Sequence, residues 1–189
     1  MRSLVLLSML TATAVASSLR TACLEPELDG TFTNQLFNGT WFEIGKIQTK
    51  GGAFFQEGCM CDVTQVTLKD AIVGNGTVTY TCRKYSVDAT EQSATANLIY
   101  DGTPGHFLQD YTYPFSPALN YNVVYLDEDS AIEYDCGALL GVNNYCVHFM
   151  SRQPTMEAEK LQALMDLVDE MGLNTDGLEY EAIQHEGCW

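Results

Sequence analysis

The strongest constraint on the fold is a series of eight short stretches that begins at Trp41. Each is rich in Val, Ile, Thr, Tyr and Phe, and Gly, Asp, Asn and Pro separate one from the next, which is typical of strands and turns. The stretches span residues 41–49, 60–68, 76–86, 92–100, 105–113, 120–127, 130–139 and 144–151. Every link is short enough for an antiparallel hairpin except a longer, glycine-bearing loop over residues 50–58.

Eight sequential antiparallel strands predict an all-β fold whose sheet closes on itself as an up-and-down β-barrel. Closure removes the edges that an open sheet would expose. A barrel of about eight strands encloses room for side chains or for one small ligand. With 189 residues, 46% of them hydrophobic, the chain can bury one domain rather than two.

The pattern changes after Pro154 and predicts a single α-helix. Thr155 is the predicted N-cap, and Gly172 is predicted to end the helix. Between them, apolar residues recur at helical spacing: Leu161, Leu164, Met165, Val168 and Met171. We expect this face to pack on the outer wall of the barrel rather than to hold a cofactor.

The N-terminus has the pattern of a secretory signal peptide. Arg2 precedes an apolar run that ends in Ala14-Val15-Ala16, which predicts cleavage after Ala16 and a mature domain over residues 17–189. No later segment approaches ~18 uninterrupted apolar residues, so we expect no membrane anchor. The predicted destination is extracellular, and the alternative is the lumen of an internal compartment.

Composition and spacing argue against several classes of function. Nine Lys and Arg residues against 25 Asp and Glu residues give a net charge of −16, which repels nucleic acid and anionic membranes. His106, His148 and His185 lack the spacing of a metal motif. The chain also lacks a phosphate-binding glycine loop and a GxSxG elbow. We therefore expect no metal site, no cofactor and no catalytic residue.

Modification of exported residues is also predicted. The sequons at Asn75 and Asn38 are candidate glycosylation sites. Seven cysteines follow the signal peptide, where disulfides form and persist, and an odd number leaves at least one unpaired in a monomer.

Trp41 and Arg152 fall at corresponding ends of neighbouring strands, because Trp41 opens the first stretch and Arg152 follows the last. An arginine over the indole face would close this end of the barrel through a cation–π contact.

Three segments resemble the motifs of the lipocalins, and within them the branch of apolipoprotein D, bacterial lipocalin and bilin-binding protein. GTWFEIGKIQT, with Gly39 and Trp41, resembles the first motif, YNVVYLDEDSAIEYDC the second, and HFMSRQP, with Arg152, the third. They occur in the right order, and the resemblance covers about residues 23–188. It implies an eight-stranded calyx that binds a small apolar molecule, with Gly39, Trp41 and Arg152 as structural residues at its base.

The resemblance also implies part of the disulfide pairing. Cys23 is expected to pair with Cys136, and Cys188 with Cys59 or Cys61. We assign the third bridge to Cys82 and whichever of Cys59 and Cys61 is left, which makes Cys146 the free cysteine.

Strand alternation, carried over from the pocket pattern of that branch, nominates an inner face. The residues expected to point inward and bind ligand are Val66, Tyr80, Cys82, Lys84, Tyr121, Val123, Tyr125, His148 and Met150. Lys84 is the candidate for orienting a ligand carboxylate, or else a lysine at the rim that reaches solvent. Phe54 and Phe55, on the longest loop, either dip into the mouth or anchor that loop to the barrel.

The predicted function is a secreted, non-enzymatic carrier of a fatty acid, sterol, retinoid, bilin or carotenoid. The alternative is an enzyme of the same fold that acts on a lipid or isoprenoid through a thiol in the barrel, for which Cys82 is the candidate. A disulfide at Cys82 would close that route. The protein is expected to be a monomer or, through its odd cysteine, a disulfide-linked dimer.

Overall fold

A computed structural model describes residues 23–69, 75–112, 116, 118–139 and 141–189, and the predicted signal peptide lies outside them. Eight antiparallel strands form the predicted barrel, and each of their ends lies within two residues of its predicted position. The strands are β1 (Gly39–Gln48), β2 (Cys59–Leu68), β3 (Gly76–Lys84), β4 (Glu91–Tyr100), β5 (His106–Tyr111), β6 (Leu119–Leu126), β7 (Ser130–Leu139) and β8 (Val142–Ser151).

The barrel closes through β1, which pairs with a strand on each side. Its first residues, Gly39–Phe42, pair with β2, and its later residues, Phe42–Gln48, pair with β8. The register of the β8 pairing shifts between Glu43 and Gly45, and such a bulge bends a strand enough to serve both neighbours. A short β9 (Glu181–Ala182), which the sequence did not predict, extends the sheet outside the barrel by pairing with β1.

Two α-helices, α1 (Asn34–Phe37) and α2 (Ala158–Glu170), and one turn of 3-10 helix (Phe54–Gln56) accompany the barrel in the described part of the chain. The prediction of Thr155 as the N-cap of α2 is wrong: Glu157 holds that position, and its carbonyl accepts the first helical hydrogen bond, from the Leu161 amide. The helix ends as expected, because Gly172 follows its last turn with a φ of +65°. Among the described helices, none has the length and apolarity to cross a membrane.

The buried apolar residues form two clusters, one on each side of the barrel wall. The outer cluster packs α2 against β7 and β8, with Leu164 and Val168 of the helix on Ile132 and Phe149 of the strands. The inner cluster lines the barrel lumen and comes from the eight barrel strands together with Phe37 of α1. Both faces of β7 and β8 are therefore buried.

The base of the barrel is closed by the Trp41 indole, which is fully buried. Its Nε1 donates a hydrogen bond of 2.8 Å to the Phe37 carbonyl. The Arg152 guanidinium lies 3.4 Å above the ring centroid and donates to the carbonyls of Leu36, Asn38 and Thr40.

Gly39 is required beside this base. Its φ of +107° is unfavourable for any other residue, and a Cβ there would lie 3.4 Å from the Arg152 guanidinium.

Three disulfides brace the barrel, and their pairing agrees with that expected from the sequence. They join Cys23 to Cys136, Cys59 to Cys82 and Cys61 to Cys188. The first ties the N-terminal segment to β7, the second links β2 to β3, and the third ties the C-terminal tail to β2. Cys146, on β8, is free and buried.

Candidate functional site

The lumen has two chemically different walls. We call the inner face of β3 to β6 the aromatic wall, and its residues are Val78, Tyr80, Ala96, Leu98, Phe107, Gln109, Tyr111, Tyr121 and Val123. We call the inner face of β7, β8, β1 and β2 the polar wall, because seven buried groups that ionise or form hydrogen bonds lie on it: Glu43, Lys46, Asp62, Glu133, Asp135, Cys146 and His148.

The aromatic wall is held together by ring contacts and has little polar surface. The Phe107 ring lies 6.3 Å from Tyr121 and 6.0 Å from Tyr100, centroid to centroid. Gln109 donates a hydrogen bond of 2.6 Å to the Tyr80 hydroxyl. Burial raises the pKa of Tyr80 and Tyr121 well above the ordinary value, so both phenols are neutral and present a flat, apolar surface with one polar atom each.

His148 is the centre of the polar wall. Its Nδ1 lies 2.5 Å from Glu43 Oε1, and its Nε2 lies 3.4 Å from Asp135 Oδ2. Burial alone would lower the pKa of His148, but the facing groups, Cys146, Asp135 and Glu43, raise it well above the ordinary value. In the free protein the imidazole is therefore a cation between carboxylates.

Lys46 is the second cation of the polar wall, and it is fully buried. Its Nζ donates a hydrogen bond of 2.9 Å to the Gln56 carbonyl. Burial opposes its charge and is the largest single influence, but the surrounding acidic groups, with Glu43 the strongest, together outweigh it and keep the pKa of Lys46 above its usual value. The sequence nominated Lys84 as the cation of the pocket instead. Lys84 lies at the end of β3 beside Cys59 and is partly exposed.

Several acceptor oxygens of the lumen have no hydrogen-bond donor. Both carboxylate oxygens of Glu133 are buried without a short hydrogen bond, although the Tyr121 hydroxyl lies near them. Asp62 Oδ1 and Gln109 Oε1 are also buried without a partner. Burial raises the pKa of Glu133 to about 7, and burial together with the charge of Glu43 raises that of Asp62 well above its usual value. Buried polar atoms without partners are rare in folded proteins and cluster at functional sites.

The loop between β1 and β2 closes the mouth of the barrel and contacts both walls. The Phe55 ring packs against Tyr80 and Tyr111 of the aromatic wall, at 5.7 and 5.3 Å between centroids. The next residue, Gln56, donates hydrogen bonds of 3.4 Å to Glu43 and Asp62 of the polar wall. Phe55 therefore dips into the mouth, while the side chain of Phe54 lies outside the described part of the chain.

The structure brings together most of the residues that the sequence nominated for ligand binding. Five of them belong to the inner cluster: Val66, Tyr80, Tyr121, Val123 and Met150. His148 lies on the polar wall, and Cys82 lies on the inner face of β3 but is bonded to Cys59.

The prediction for Tyr125 is wrong. The pairing of β6 with β7 shifts register between Val123 and Tyr125, so the extra residue, Val124, reverses the alternation of the inner face. Tyr125 therefore packs on the outer cluster, where its hydroxyl donates to Asp127 and accepts a hydrogen bond from Lys160. Leu126 takes the inward position instead.

The two candidate glycosylation sites differ in how free their side chains are. The Asn38 amide is partly buried and makes hydrogen bonds in both directions with the Leu68 backbone. Asn75 is exposed, and its side-chain oxygen accepts a hydrogen bond from the Tyr100 amide.

The family model of the lipocalin-like domain matches residues 34–182. No curated protein has a sequence that matches the chain. Among solved structures, insecticyanin from the tobacco hornworm Manduca sexta is similar, with a TM-score of 0.66 and 13% identity over 88% of this chain and 87% of that one. Lobster apocrustacyanin A1 has a TM-score of 0.62 and 16% identity over 82% and 81%. At such identities the structural likeness shows the fold, whereas the family match covers most of the sequence. The chain therefore belongs to the family of lipocalin-like domains.

Proposed function

We propose that this protein is a non-enzymatic carrier that binds one small hydrophobic ligand in the barrel lumen, against the aromatic wall. The observation that carries this proposal is the set of buried acceptor oxygens opposite that wall. A ligand with an apolar body and a hydrogen-bond donor would gain from both walls, because most of its surface meets rings and its donor meets an unpaired oxygen.

The charges of the polar wall favour some ligand classes over others. Four carboxyl groups share the lumen with one lysine and one histidine. Both cations already face Glu43, so a ligand carboxylate would have to compete with that glutamate for them. Among the ligands that the resemblance suggests, those that donate hydrogen bonds and have no carboxylate, such as sterols and retinol, therefore fit better than fatty acids. The resemblance of the three motifs to the apolipoprotein D branch agrees with a ligand of this kind.

Export of the protein is part of the proposal. Three disulfides persist in an oxidising compartment, and the first 16 residues have the pattern of a signal peptide. Asn75, which is exposed, is the better glycosylation site, because a glycan on Asn38 would break the hydrogen bond from its amide to Leu68.

The alternative of an enzyme with a thiol in the barrel has little support in the lumen. Cys82 is in a disulfide. Cys146 is free, but burial raises the pKa of its thiol to about 11, and the thiolate is the form that acts as a nucleophile. Cys146 is also buried, which leaves it poorly placed to join two chains, so we propose a monomer.

Native mass spectrometry with an absorbance spectrum tests the carrier proposal. The protein would be secreted from a eukaryotic host and purified gently, then compared with the same sample after solvent extraction and with the extracted sample incubated with retinol, a sterol, a bilin, a carotenoid or a fatty acid. We expect an adduct of one ligand per chain, stronger for the hydrogen-bond donors than for the fatty acid. A chain that is empty as purified and binds no member of the panel would contradict the proposal.

A further inference from the structure

The polar wall contains a set of ligand atoms suited to a transition metal, which the spacing of the histidines in the sequence did not reveal. Cys146 and His148 are two residues apart on β8, so both point into the lumen, and Asp135 is the partner of Cys146 on β7. One ligand atom from each of the three lies within 4.8 Å of the others, and all three residues are buried.

The orientation of His148 is that of a metal ligand. Its Nδ1 lies against Glu43, and the Cys146 sulfur lies 3.7 Å from the same nitrogen. In proteins a carboxylate in that place fixes the ring and leaves the other nitrogen to bind the ion. His148 Nε2 is buried and faces the Asp135 carboxylate. It lies 3.4 Å from Asp135 Oδ2, which is about the separation of two ligands bound tetrahedrally at about 2.1 Å to zinc.

A second observation points to the same position. Glu133 is the pairing partner of His148 and is fully buried with neither carboxylate oxygen in a hydrogen bond. It lies on the same inner face of β7 as Asp135. A divalent cation bound beside it would offset the excess of carboxyl groups in the polar wall.

We propose that Asp135, Cys146 and His148 form a binding site for a divalent transition metal of the Zn²⁺ or Co²⁺ type, with Glu43 as the positioning residue of the histidine. Thiolate and imidazole ligands select such ions over Ca²⁺ and Mg²⁺. Binding converts the Cys146 thiol to a thiolate and the His148 imidazolium to the neutral ring, and both protons leave to solvent. A second set of nearby groups, Cys59, Asp62 and Cys82, does not compete, because its two sulfurs form a disulfide.

Titration with Co²⁺ tests the site directly, because six of the seven cysteines are in disulfides and any thiolate band reports Cys146. The folded protein, stripped of metal and kept oxidised, should develop a near-ultraviolet thiolate-to-cobalt band that Zn²⁺ abolishes and Mg²⁺ does not. H148Q should lose binding, whereas Glu43→Gln should keep the band with an affinity about 10- to 100-fold lower. His106→Gln, at the start of β5 and away from the polar wall, is the matched control and should bind as the wild type does.

Two results would overturn the site. One is the absence of a charge-transfer band in the wild type at saturating Co²⁺. The other is a band of unchanged affinity in both H148Q and Asp135→Asn, which would place the ion elsewhere. Near-ultraviolet circular dichroism identifies a variant that has lost its fold, and Asp135→Asn decides the question if H148Q unfolds. None of these readouts depends on the hydrophobic ligand, so failure here leaves the carrier proposal standing.

Discussion

The aromatic wall and the polar wall face each other across one lumen but differ in how their buried groups are satisfied. The Phe107 ring contacts the rings of Phe32, Tyr100 and Tyr121, and each contact stabilises the folded protein. Glu133 is equally buried, yet neither of its carboxylate oxygens makes a short hydrogen bond, and burial raises its pKa to about 7. A buried group without a partner destabilises the fold. The comparison indicates that the aromatic wall stabilises the barrel and that the polar wall is retained for binding.

The largest expected effect is a loss of stability on the aromatic wall. Phe107→Ala removes a fully buried ring from the centre of the inner cluster and should lower the free energy of unfolding by about 3–5 kcal/mol. Leu108→Ala, at the next position on β5 and facing outward, is the control and should lower it much less. Urea denaturation of both variants measures the difference, and equal losses would contradict the role assigned to the wall.

On the polar wall, a substitution should instead raise the free energy of unfolding. The pKa of Glu133 is about 7 in the folded protein, against an ordinary value of 4.5 for a glutamate in an unfolded chain, so the folded state binds a proton more tightly than the unfolded state does. Its ionisation therefore destabilises the fold progressively as the pH rises through 4.5 to 7. Glu133→Gln should be more stable than the wild type by about 3 kcal/mol above this window, and similar to it below.

The measurement is denaturant unfolding across that pH range on metal-free, ligand-free protein. Glu91→Gln, at an exposed position on β4, is the control for the loss of a carboxylate as such. If Glu133→Gln is less stable than the wild type above pH 7, then Glu133 has a partner and the two walls do not differ as described.

The loop at the mouth gives a kinetic test of the comparison, because Phe55 touches one wall and Gln56 the other. Phe55→Ala should speed both association and dissociation of a hydrophobic ligand severalfold, since the ring blocks the mouth. Stopped-flow fluorescence measures both rates. Rates equal to those of the wild type would show that ligands do not pass this loop.

The smallest effect is expected at Tyr125, which lies outside the barrel. Tyr125→Phe removes the hydroxyl that contacts Asp127 and Lys160, a partly exposed group of charges that contributes roughly 1 kcal/mol or less. Ligand affinity should not change, whereas Tyr121→Phe should alter it, because Tyr121 faces the lumen. Isothermal titration calorimetry measures the affinity of both variants. A loss of affinity in Tyr125→Phe would show that Tyr125 lines the pocket.

Strand positions, barrel closure and the base were predictable because each rests on local pattern. Alternation and turn residues locate strands to within two residues, and Trp41 and Arg152 meet because closure puts β1 next to β8. The alternation at Tyr125 failed for a physical reason. A bulge at Val124 depends on how β6 pairs with β7, and no residue in the sequence marks it.

Apart from His148, the residues of the polar wall were missed, and on β7 the reason is that α2 covers the outer face of the strand. Ile132 and Tyr134 pack against the helix and are therefore apolar. If apolar residues are assumed to face the lumen, Glu133 and Asp135 are wrongly assigned to the outer face. One signal was present: alternation from Trp41 places Glu43 on the inner face of β1. A buried glutamate needs partners, and a search for them among the inner positions of neighbouring strands leads to His148.

The most direct test of the carrier claim uses the two tryptophans of the chain. Trp41 forms the base of the lumen, whereas Trp189 is 69% exposed, so Trp189→Phe leaves Trp41 as the only reporter. In the Trp189→Phe protein, Ala96→Phe places a bulky ring in the lumen on the inner face of β4. Ile99→Phe places the same ring on the outer face of β4 and is the matched control. We predict that retinol changes Trp41 emission saturably in the Trp189→Phe protein and with Ile99→Phe, and that Ala96→Phe abolishes the response. Retinol binding that is equal in all three proteins would place the ligand outside the lumen and contradict the account.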